Sequence, residues 1–151
     1  MKKAIWSIPA ERMKMKKPHV VPLSEPAIKI IKTLHFYRAA NKTNLVFENV
    51  RNNRPFSVNA PKQLLKRMGK GEFTTHGMRA SFKTRMTEAT NHDRNAIEMC
   101  LAHAIGSQTE RAYQRGDLFT KRKEIMDDWA AYLGGKSDSQ IIAINRRTNS
   151  I

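Results

Sequence analysis

The sequence predicts a mainly α protein with a small antiparallel β-sheet at its N-terminal side, which is an α+β fold. Two short stretches with apolar residues, 4–9 and 19–23, flank a polar basic segment, the pattern of a β-hairpin. Farther along, apolar residues recur at steps of three and four, as on one face of a helix. With 151 residues the chain is long enough for one domain with a core. We expect that domain over residues 1–135 and a tail without a strong pattern over residues 136–151.

The predicted hairpin has a basic tip and leads into a helix. Ser24 stands where an N-cap is expected, and Pro26 follows in the first turn, where a missing N–H costs nothing. This helix extends to about residue 40. The cations of the turn at residues 11–18 are Arg12, Lys14, Lys16 and Lys17. The predicted apolar face of the helix consists of Ala27, Ile30, Ile31 and Leu34.

The middle of the chain is predicted to be mostly irregular. Residues 41–44 are a loop, residues 45–47 form a short apolar segment, and residues 48–58 are a second, polar loop. Asn59 then starts a short helix through Met68, which Gly69 ends.

The central predicted helix begins with Thr75 as its N-cap and ends near Ala89. His76 and Arg79 lie near its first turn, beside the apolar face rather than in it. Free N–H groups at a helix N-terminus favour anions, so these two side chains suggest a phosphate site. The alternative is a capped surface helix with an incidental His and Arg. The predicted apolar face consists of Met78, Phe82, Met86 and Ala89.

Three further helices are predicted after the central one. Asn91 caps the first, which ends near His103. Residues 107–110 have the form of a capping box and open a short helix that carries Tyr113. The last helix extends over residues 118–133, with a glycine pair as its stop. Its apolar stripe consists of Ile125, Met126, Trp129 and Leu133.

The composition favours a polyanionic partner. Lys and Arg total 28 against 13 Asp and Glu, a net charge of +15, which makes double-stranded DNA the first candidate. No apolar run approaches the roughly 20 residues of a membrane span, and no signal peptide is recognisable, so we expect a cytoplasmic protein without a membrane partner. The single cysteine, Cys100, lies in an apolar stretch and is expected to be a small core residue. No His/Cys cluster has the spacing of a metal site.

Four features follow one another at characteristic distances. A basic hairpin tip with Lys14 comes first, and His76-x-x-Arg79 follows. His103 stands 24 residues after Arg79, and Tyr113 stands 10 residues after His103. This order resembles the catalytic domain of the tyrosine recombinases, in particular the prophage integrases, over residues 5–133. The strings that carry the resemblance are Met13-Lys14, Thr75-His76-Gly77-Met78-Arg79, Cys100-Leu101-Ala102-His103 and Ala112-Tyr113-Gln114-Arg115.

The resemblance implies site-specific DNA recombination without a metal or cofactor. By this resemblance Tyr113 is the nucleophile that attacks a DNA phosphodiester and forms a 3′-phosphotyrosyl intermediate. Arg79 clamps the phosphate, and His103 is a second donor to it. His76 contacts the phosphate or accepts the tyrosine proton, and Lys14 is the general acid for the leaving oxygen. Crowded negative charge on the phosphate suits paired Arg and His donors.

One departure from the family pattern limits the expected activity. The family has another catalytic Arg on a helix upstream of the hairpin, and Arg12 lies in the turn, where it cannot substitute. We therefore expect residues 1–135 to be a partial, N-terminally truncated integrase catalytic domain that is inactive alone. The alternative is a non-catalytic DNA-binding or assembly fragment of a prophage remnant.

The resemblance also implies partners and a location. They are an attachment site in double-stranded DNA, self-association on that DNA through the C-terminal segment, and the nucleoid of a bacterial cytoplasm. The apolar stripe of the last helix has two possible uses, packing on a neighbouring protomer or folding back onto its own core.

Overall fold

The computed structural model describes residues 4–38, 45–49, 52–103 and 118–135. Within these residues the chain forms five α-helices and two antiparallel pairs of short strands, which confirms the predicted mainly α fold with a small antiparallel sheet. In chain order the elements are β1 (Ile5–Ile8), β2 (His19–Pro22), α1 (Glu25–Arg38), β3 (Glu48–Asn49), β4 (Arg54–Pro55), α2 (Ala60–Arg67), α3 (Thr75–Glu88), α4 (Arg94–Cys100) and α5 (Phe119–Leu133). None of the described helices is long and apolar enough to cross a membrane.

The predicted N-terminal hairpin is present. Its strands pair in an antiparallel register that sets Ile5 opposite Pro22 and Ile8 opposite His19. A short 3-10 helix, Ala10–Arg12, opens the connection between the strands. Lys16 has a φ of 52° there, and its N–H donates to the carbonyl of Met13 at 3.0 Å, which tightens the turn.

Arg122 of α5 ties this hairpin to the helices. Its side chain is almost fully buried and donates from Nη2 to the carbonyl oxygen of Val20 in β2. Burial, and then the charge of Arg122, lower the pKa of His19 on the same strand. A buried guanidinium needs acceptors, so this bond fixes the base of the hairpin against α5.

Helix α1 starts as predicted, and its half-buried face differs from the predicted apolar face at one residue. The carbonyl of Ser24 accepts from the N–H of Ile28 at 3.0 Å and begins the helix. Ile30 is 58% exposed, so its predicted place on the buried face is wrong. α1 packs on α5, and Ile28 rather than Ile30 is the half-buried isoleucine of that turn. The half-buried residues are Ala27, Ile28, Ile31 and Leu34.

The predicted loop over residues 48–58 contains a second small hairpin, which corrects the sequence prediction. Strands β3 and β4 pair with Glu48 opposite Pro55 and Asn49 opposite Arg54. The N–H groups of Asn52 and Asn53 both donate to the carbonyl of Asn49, at 3.1 and 2.9 Å. Asn53 has a φ of 54°, a conformation that asparagine tolerates well, so these two residues supply the turn.

Helix α2 is bounded as predicted, by Asn59 and Gly69. Asn59 occupies the N-cap position, although its side chain makes no cap hydrogen bond. At the other end the N–H of Gly69 donates to Lys66, and that of Lys70 donates to Leu65. These two bonds form a Schellman motif, in which Gly69 adopts a φ of 69°.

The predicted N-cap of the central helix is off by one residue. Thr74, not Thr75, has the extended backbone of an N-cap, and its Oγ1 accepts from the N–H of Gly77 at 2.9 Å. A Cβ at position 77 would lie 3.2 Å from that oxygen, so glycine leaves room for the cap. Met78 is 51% exposed rather than buried, because the first turn of α3 projects beyond the core.

The predicted cap of α4 is also displaced, from Asn91 to Asp93. The carboxylate of Asp93 accepts from the N–H groups of Asn95 and Ala96, which satisfies two free donors of the first turn. A hydrogen bond from Lys121 at 2.8 Å contributes most to lowering the pKa of Asp93. This ion pair joins the N-terminus of α4 to α5.

The core lies where α3, α4 and α5 meet. Trp129 of α5 packs edge-on against Phe82 of α3, with ring centroids 5.4 Å apart. Three residues of the predicted stripe on α5, namely Ile125, Met126 and Trp129, therefore fold back onto this core, whereas Leu133 is 65% exposed. The buried apolar residues are Phe82, Met86, Ala96, Ile97, Leu101 and Ile125.

Helix α4 ends in a tight reversal that shapes the candidate site. The N–H of Ala102 donates to the carbonyl of Met99, and the N–H of His103 donates to that of Glu98, again a Schellman motif. Ala102 has a φ of 54° at the position where glycine is preferred. The chain therefore folds back and carries His103 toward the side of α4.

Replacing Ala102 by Gly is expected to raise the free energy of unfolding by about 0.5–1 kcal/mol, because glycine adopts this left-handed conformation without the Cβ clash. Urea denaturation measures the change. Ala80→Gly in the exposed interior of α3 is the control and is expected to cost about 1 kcal/mol. A destabilised A102G chain would contradict the assignment of strain to residue 102.

Candidate active site

The fold brings Arg79 and His103 together, although 24 residues separate them in the chain. Nη2 of Arg79 lies 2.7 Å from Nε2 of His103 and also donates to the carbonyl oxygen of Leu101. Leu101 is the C-cap of α4, so the guanidinium sits at the negative end of that helix dipole. Arg79 is half-buried and His103 is exposed, so the pair faces solvent on one side.

Core packing sets this geometry. Phe82 and Met86 are buried on α3, and they fix the rotation of the helix that carries Arg79. Ala96 and Ile97 are buried on α4 and fix the helix that ends before His103. The pair is therefore built on two packed helices rather than on a long loop.

Two charged residues that the sequence analysis missed extend the pair into a network. Nδ1 of His103 is hydrogen-bonded to Oε2 of Glu98, and Nζ of Lys83 lies 2.7 Å from Oε1 of the same carboxylate. The hydrogen bonds from Lys83 and then His103 hold the pKa of Glu98 below its usual range, against the opposing effect of burial. The sequence did contain a pattern that points to Lys83. It stands four residues after Arg79, so both side chains lie on the same face of the helix.

The network specifies the hydrogen positions on His103. A guanidinium is only a donor, so Nε2 of His103 accepts from Arg79. Nδ1 then carries the hydrogen and donates it to the carboxylate of Glu98. The imidazole is thus held between a cation on one nitrogen and an anion on the other.

His76 is exposed in the first turn of α3, as predicted from its position after the N-cap. It lies one turn from Arg79 on the same helix side. Among the described residues it makes no hydrogen bond, so the side chain is available to a ligand. The structure brings His76 to the same helix end as Arg79 but not into the Arg79–His103 contact.

The other two predicted site residues are less constrained by the structure. Lys14 is exposed at the hairpin tip, and no hydrogen bond or ion pair connects it to Arg79, His76 or His103 in the part of the chain that the structure describes. Tyr113 lies outside the described residues, as do the capping box and short helix predicted around it. Their roles stay predictions.

Cys100 borders the core beside α5 rather than the site. Its Sγ lies 3.9 Å from the backbone oxygen of Arg122. Burial raises the pKa of the thiol, which disfavours the reactive thiolate. Among the described residues no group of three or more His, Cys, Asp or Glu side chains is arranged to hold a metal ion.

Glu98→Gln is expected to make the free energy of unfolding less dependent on pH in the acid range. The lowered pKa of Glu98 means that its carboxylate stabilises the fold above the pKa of the unfolded chain, and this contribution disappears as the pH falls through the folded value. The loss at neutral pH is at most about 1 kcal/mol. Urea unfolding between about pH 7 and pH 3 measures it, spanning the ordinary carboxyl range. Glu88→Gln, at an exposed position of α3, is expected to keep the wild-type slope, and a wild-type slope in E98Q would contradict the prediction.

Comparisons with known proteins agree with the resemblance. The model of the phage integrase family matches residues 1–117, a stretch that includes all five predicted site residues. Prophage integrase IntA of Escherichia coli K12 is 31% identical over 139 residues, which cover 91% of this chain and 33% of the relative. The integrase of Shigella phage Sf6 is 36% identical over 140 residues, which cover 87% of this chain and 34% of the relative. No solved structure matches the chain.

The chain thus spans about a third of the length of these curated relatives. The match extends through α3, which carries Arg79, and through α4 and the turn after it, which carries His103. More than half of the chain fits one family model, and two relatives exceed 30% identity over most of the chain. The chain therefore belongs to the phage integrase family.

Proposed function

We propose that this chain carries the DNA-cleaving region of a site-specific recombinase, with Tyr113 as its nucleophile. The observation that carries the proposal is the Arg79–His103 pair, which places a guanidinium on α3 2.7 Å from an imidazole in the turn that ends α4. Such donors stabilise the charge that develops on a phosphate in the transition state. Membership of the phage integrase family and relatives named prophage integrases support DNA as the substrate.

The proposed reaction exchanges one phosphoester bond for another. The phenolic oxygen of Tyr113 attacks phosphorus, the bond to the 5′ oxygen breaks, and a 3′-phosphotyrosyl link remains. Arg79 and His103 donate to the non-bridging oxygens. His76 accepts the tyrosine proton or contacts the phosphate, and Lys14 gives a proton to the departing 5′ oxygen. The reverse reaction rejoins a strand, and the bond energy stays in the covalent intermediate.

The position of Lys14 supports its role as a general acid on DNA. The base of the hairpin is fixed to α5 by the bond from Arg122 to Val20, whereas Lys14 is exposed at the tip. The ammonium group of Lys14 is therefore free to contact a ligand such as DNA. Lys16 and Lys17 are exposed beside it and add positive charge.

DNA affinity is proposed to be largely electrostatic. The net charge of +15 favours phosphate contacts, which give affinity without sequence specificity and weaken as salt rises. Exposed cations on α2 extend this basic surface beyond the hairpin. They are Lys62, Lys66 and Arg67.

The 151-residue chain taken alone is proposed to bind DNA but to carry out little or no recombination. The family pattern includes a second catalytic Arg upstream of the hairpin, and losing one such donor typically costs about 100- to 1,000-fold in rate. The second candidate function is DNA binding or assembly without chemistry. The exposed Leu133 at the end of α5 favours the assembly function, because it is available for a contact between two copies of the chain on DNA. The other residues of the apolar stripe pack in or against the core.

Tyr113→Phe is expected to abolish any covalent protein–DNA adduct and to leave DNA binding unchanged, because only the attacking oxygen is lost. Adduct is measured by denaturing gel and mass spectrometry after long incubation with a pool of random-sequence duplexes. The control is Tyr132→Phe, an exposed tyrosine on α5, which is expected to keep the adduct. Adduct formed by Y113F would refute the assignment, and its absence from the wild-type chain would favour the non-catalytic function.

Lys14→Ala is expected to reduce adduct formation by about 100- to 10,000-fold, because the 5′ oxygen then leaves without a proton. Duplexes with sulfur in place of the bridging 5′ oxygen should remove this defect, since a thiolate leaves unprotonated. Lys16→Ala and Lys17→Ala are matched controls on the same tip and should lose little adduct. A K14A defect that persists on the sulfur-bridged DNA would contradict the role of Lys14.

A further inference from the structure

We infer that Glu98 is a positioning residue that prepares His103 to take up a proton when a DNA phosphate binds. The inference rests on the proposed function and adds a residue that the family pattern did not supply. Its basis is the pair of contacts on the imidazole, from Glu98 to Nδ1 and from Arg79 to Nε2. A merely structural Glu98 would hold the end of α4 without changing the protonation of His103.

In the free chain, Nε2 of His103 is an acceptor and cannot donate to a phosphate. Nε2 of His103 accepts a hydrogen bond from Arg79, so it carries a lone pair and no hydrogen. A phosphate oxygen is also an acceptor and cannot bond to that lone pair. For His103 to donate to a phosphate, Nε2 must gain a hydrogen.

Glu98 favours one of the two ways in which Nε2 of His103 can gain a hydrogen. Moving the hydrogen from Nδ1 to Nε2 would leave the lone pair of Nδ1 facing the carboxylate of Glu98, two acceptors in contact. Adding a second proton keeps the bond to Glu98 and creates a new donor at Nε2. The carboxylate also stabilises the charge of the resulting imidazolium. Glu98 therefore favours proton uptake over a tautomer exchange.

The neighbouring helix carries two positive charges that act against this effect. Arg79 and Lys83 of α3 are positive and oppose a second charge on His103. An incoming phosphate draws the guanidinium of Arg79 to itself and adds negative charge at Nε2. Phosphate binding and protonation of His103 thus become coupled.

Three other charged side chains near α4 have partners away from His103. Asp93 and Lys121 pair at 2.8 Å at the N-terminal end of the helix. Arg122 of α5 donates to Val20 of the hairpin. Among the described residues, the charged groups in contact with His103 or with its carboxylate partner are therefore Arg79, Lys83 and Glu98.

Substitution of Lys83 should change proton uptake by His103 in the direction opposite to substitution of Glu98. It holds Oε1 of Glu98 at 2.7 Å and so reduces the negative charge that Glu98 offers to His103. Lys83→Gln removes a cation and leaves the carboxylate to His103 alone. Proton uptake should then begin at higher pH, whereas Glu98→Gln should suppress it.

The experiment measures the affinity of the full chain for a duplex of about 20 base pairs by fluorescence anisotropy, from about pH 8 to pH 6 at constant salt. One coupled proton gives up to about a tenfold gain in affinity per pH unit in the wild-type chain. We expect the affinity of E98Q and H103Q to depend less steeply on pH than that of the wild-type chain. In K83Q the steep part of the plot of affinity against pH should be displaced to higher pH. Glu88→Gln changes the charge as E98Q does and should keep the wild-type slope.

A second readout uses the free chain. The ¹⁵N shifts of His103 should report hydrogen on Nδ1 at high pH in the wild type, because Arg79 donates to Nε2 and Glu98 accepts from Nδ1. Hydrogen on Nε2 instead would contradict the contacts on which the inference rests. A wild-type pH slope in E98Q, or K83Q displaced in the same direction as E98Q, would overturn this inference while leaving the proposed function intact. Failure of the wild-type chain to bind the duplex would instead overturn the proposed function.

Discussion

The guanidinium of Arg79 is the link on which the candidate site depends. It reaches from α3 to the C-terminal end of α4, where it donates to the carbonyl of Leu101 and contacts His103. Carbonyl groups at a helix end lack partners inside the helix, so a cation there satisfies a real need of the fold. The bond that satisfies the end of α4 therefore also fixes the guanidinium beside His103, where we propose that it binds a phosphate.

A second arginine serves the hairpin in the same way. Arg122 is buried on α5 and donates to the carbonyl of Val20, a residue 102 positions earlier in the chain. The hairpin would otherwise be a two-stranded sheet with mostly exposed residues on β1, which is marginal by itself. The two arginines thus connect the hairpin to α5 and α3 to the end of α4.

The sequence predicted the order and type of the longer elements but not their details. Caps were displaced by one or two residues, to Thr74 and Asp93, because several neighbouring polar side chains can each accept from a first turn. Ile30 and Met78 belong to apolar faces by periodicity, yet both are exposed. Periodicity identifies a face, whereas only the contact with another helix sets how much of it is covered.

The order of residues along the chain was enough to predict which residues form the site, but not how the fold brings them together. Order and resemblance named Arg79 and His103, but the crossing of α3 and α4 brings them into contact, and no local pattern specifies that crossing. Glu98 differs, because its contact with His103 is local. The Schellman turn returns the N–H of His103 to the carbonyl of Glu98, so residues five apart are drawn together by the turn itself. A carboxylate five residues before a histidine at a helix end is therefore a pattern that sequence alone can show.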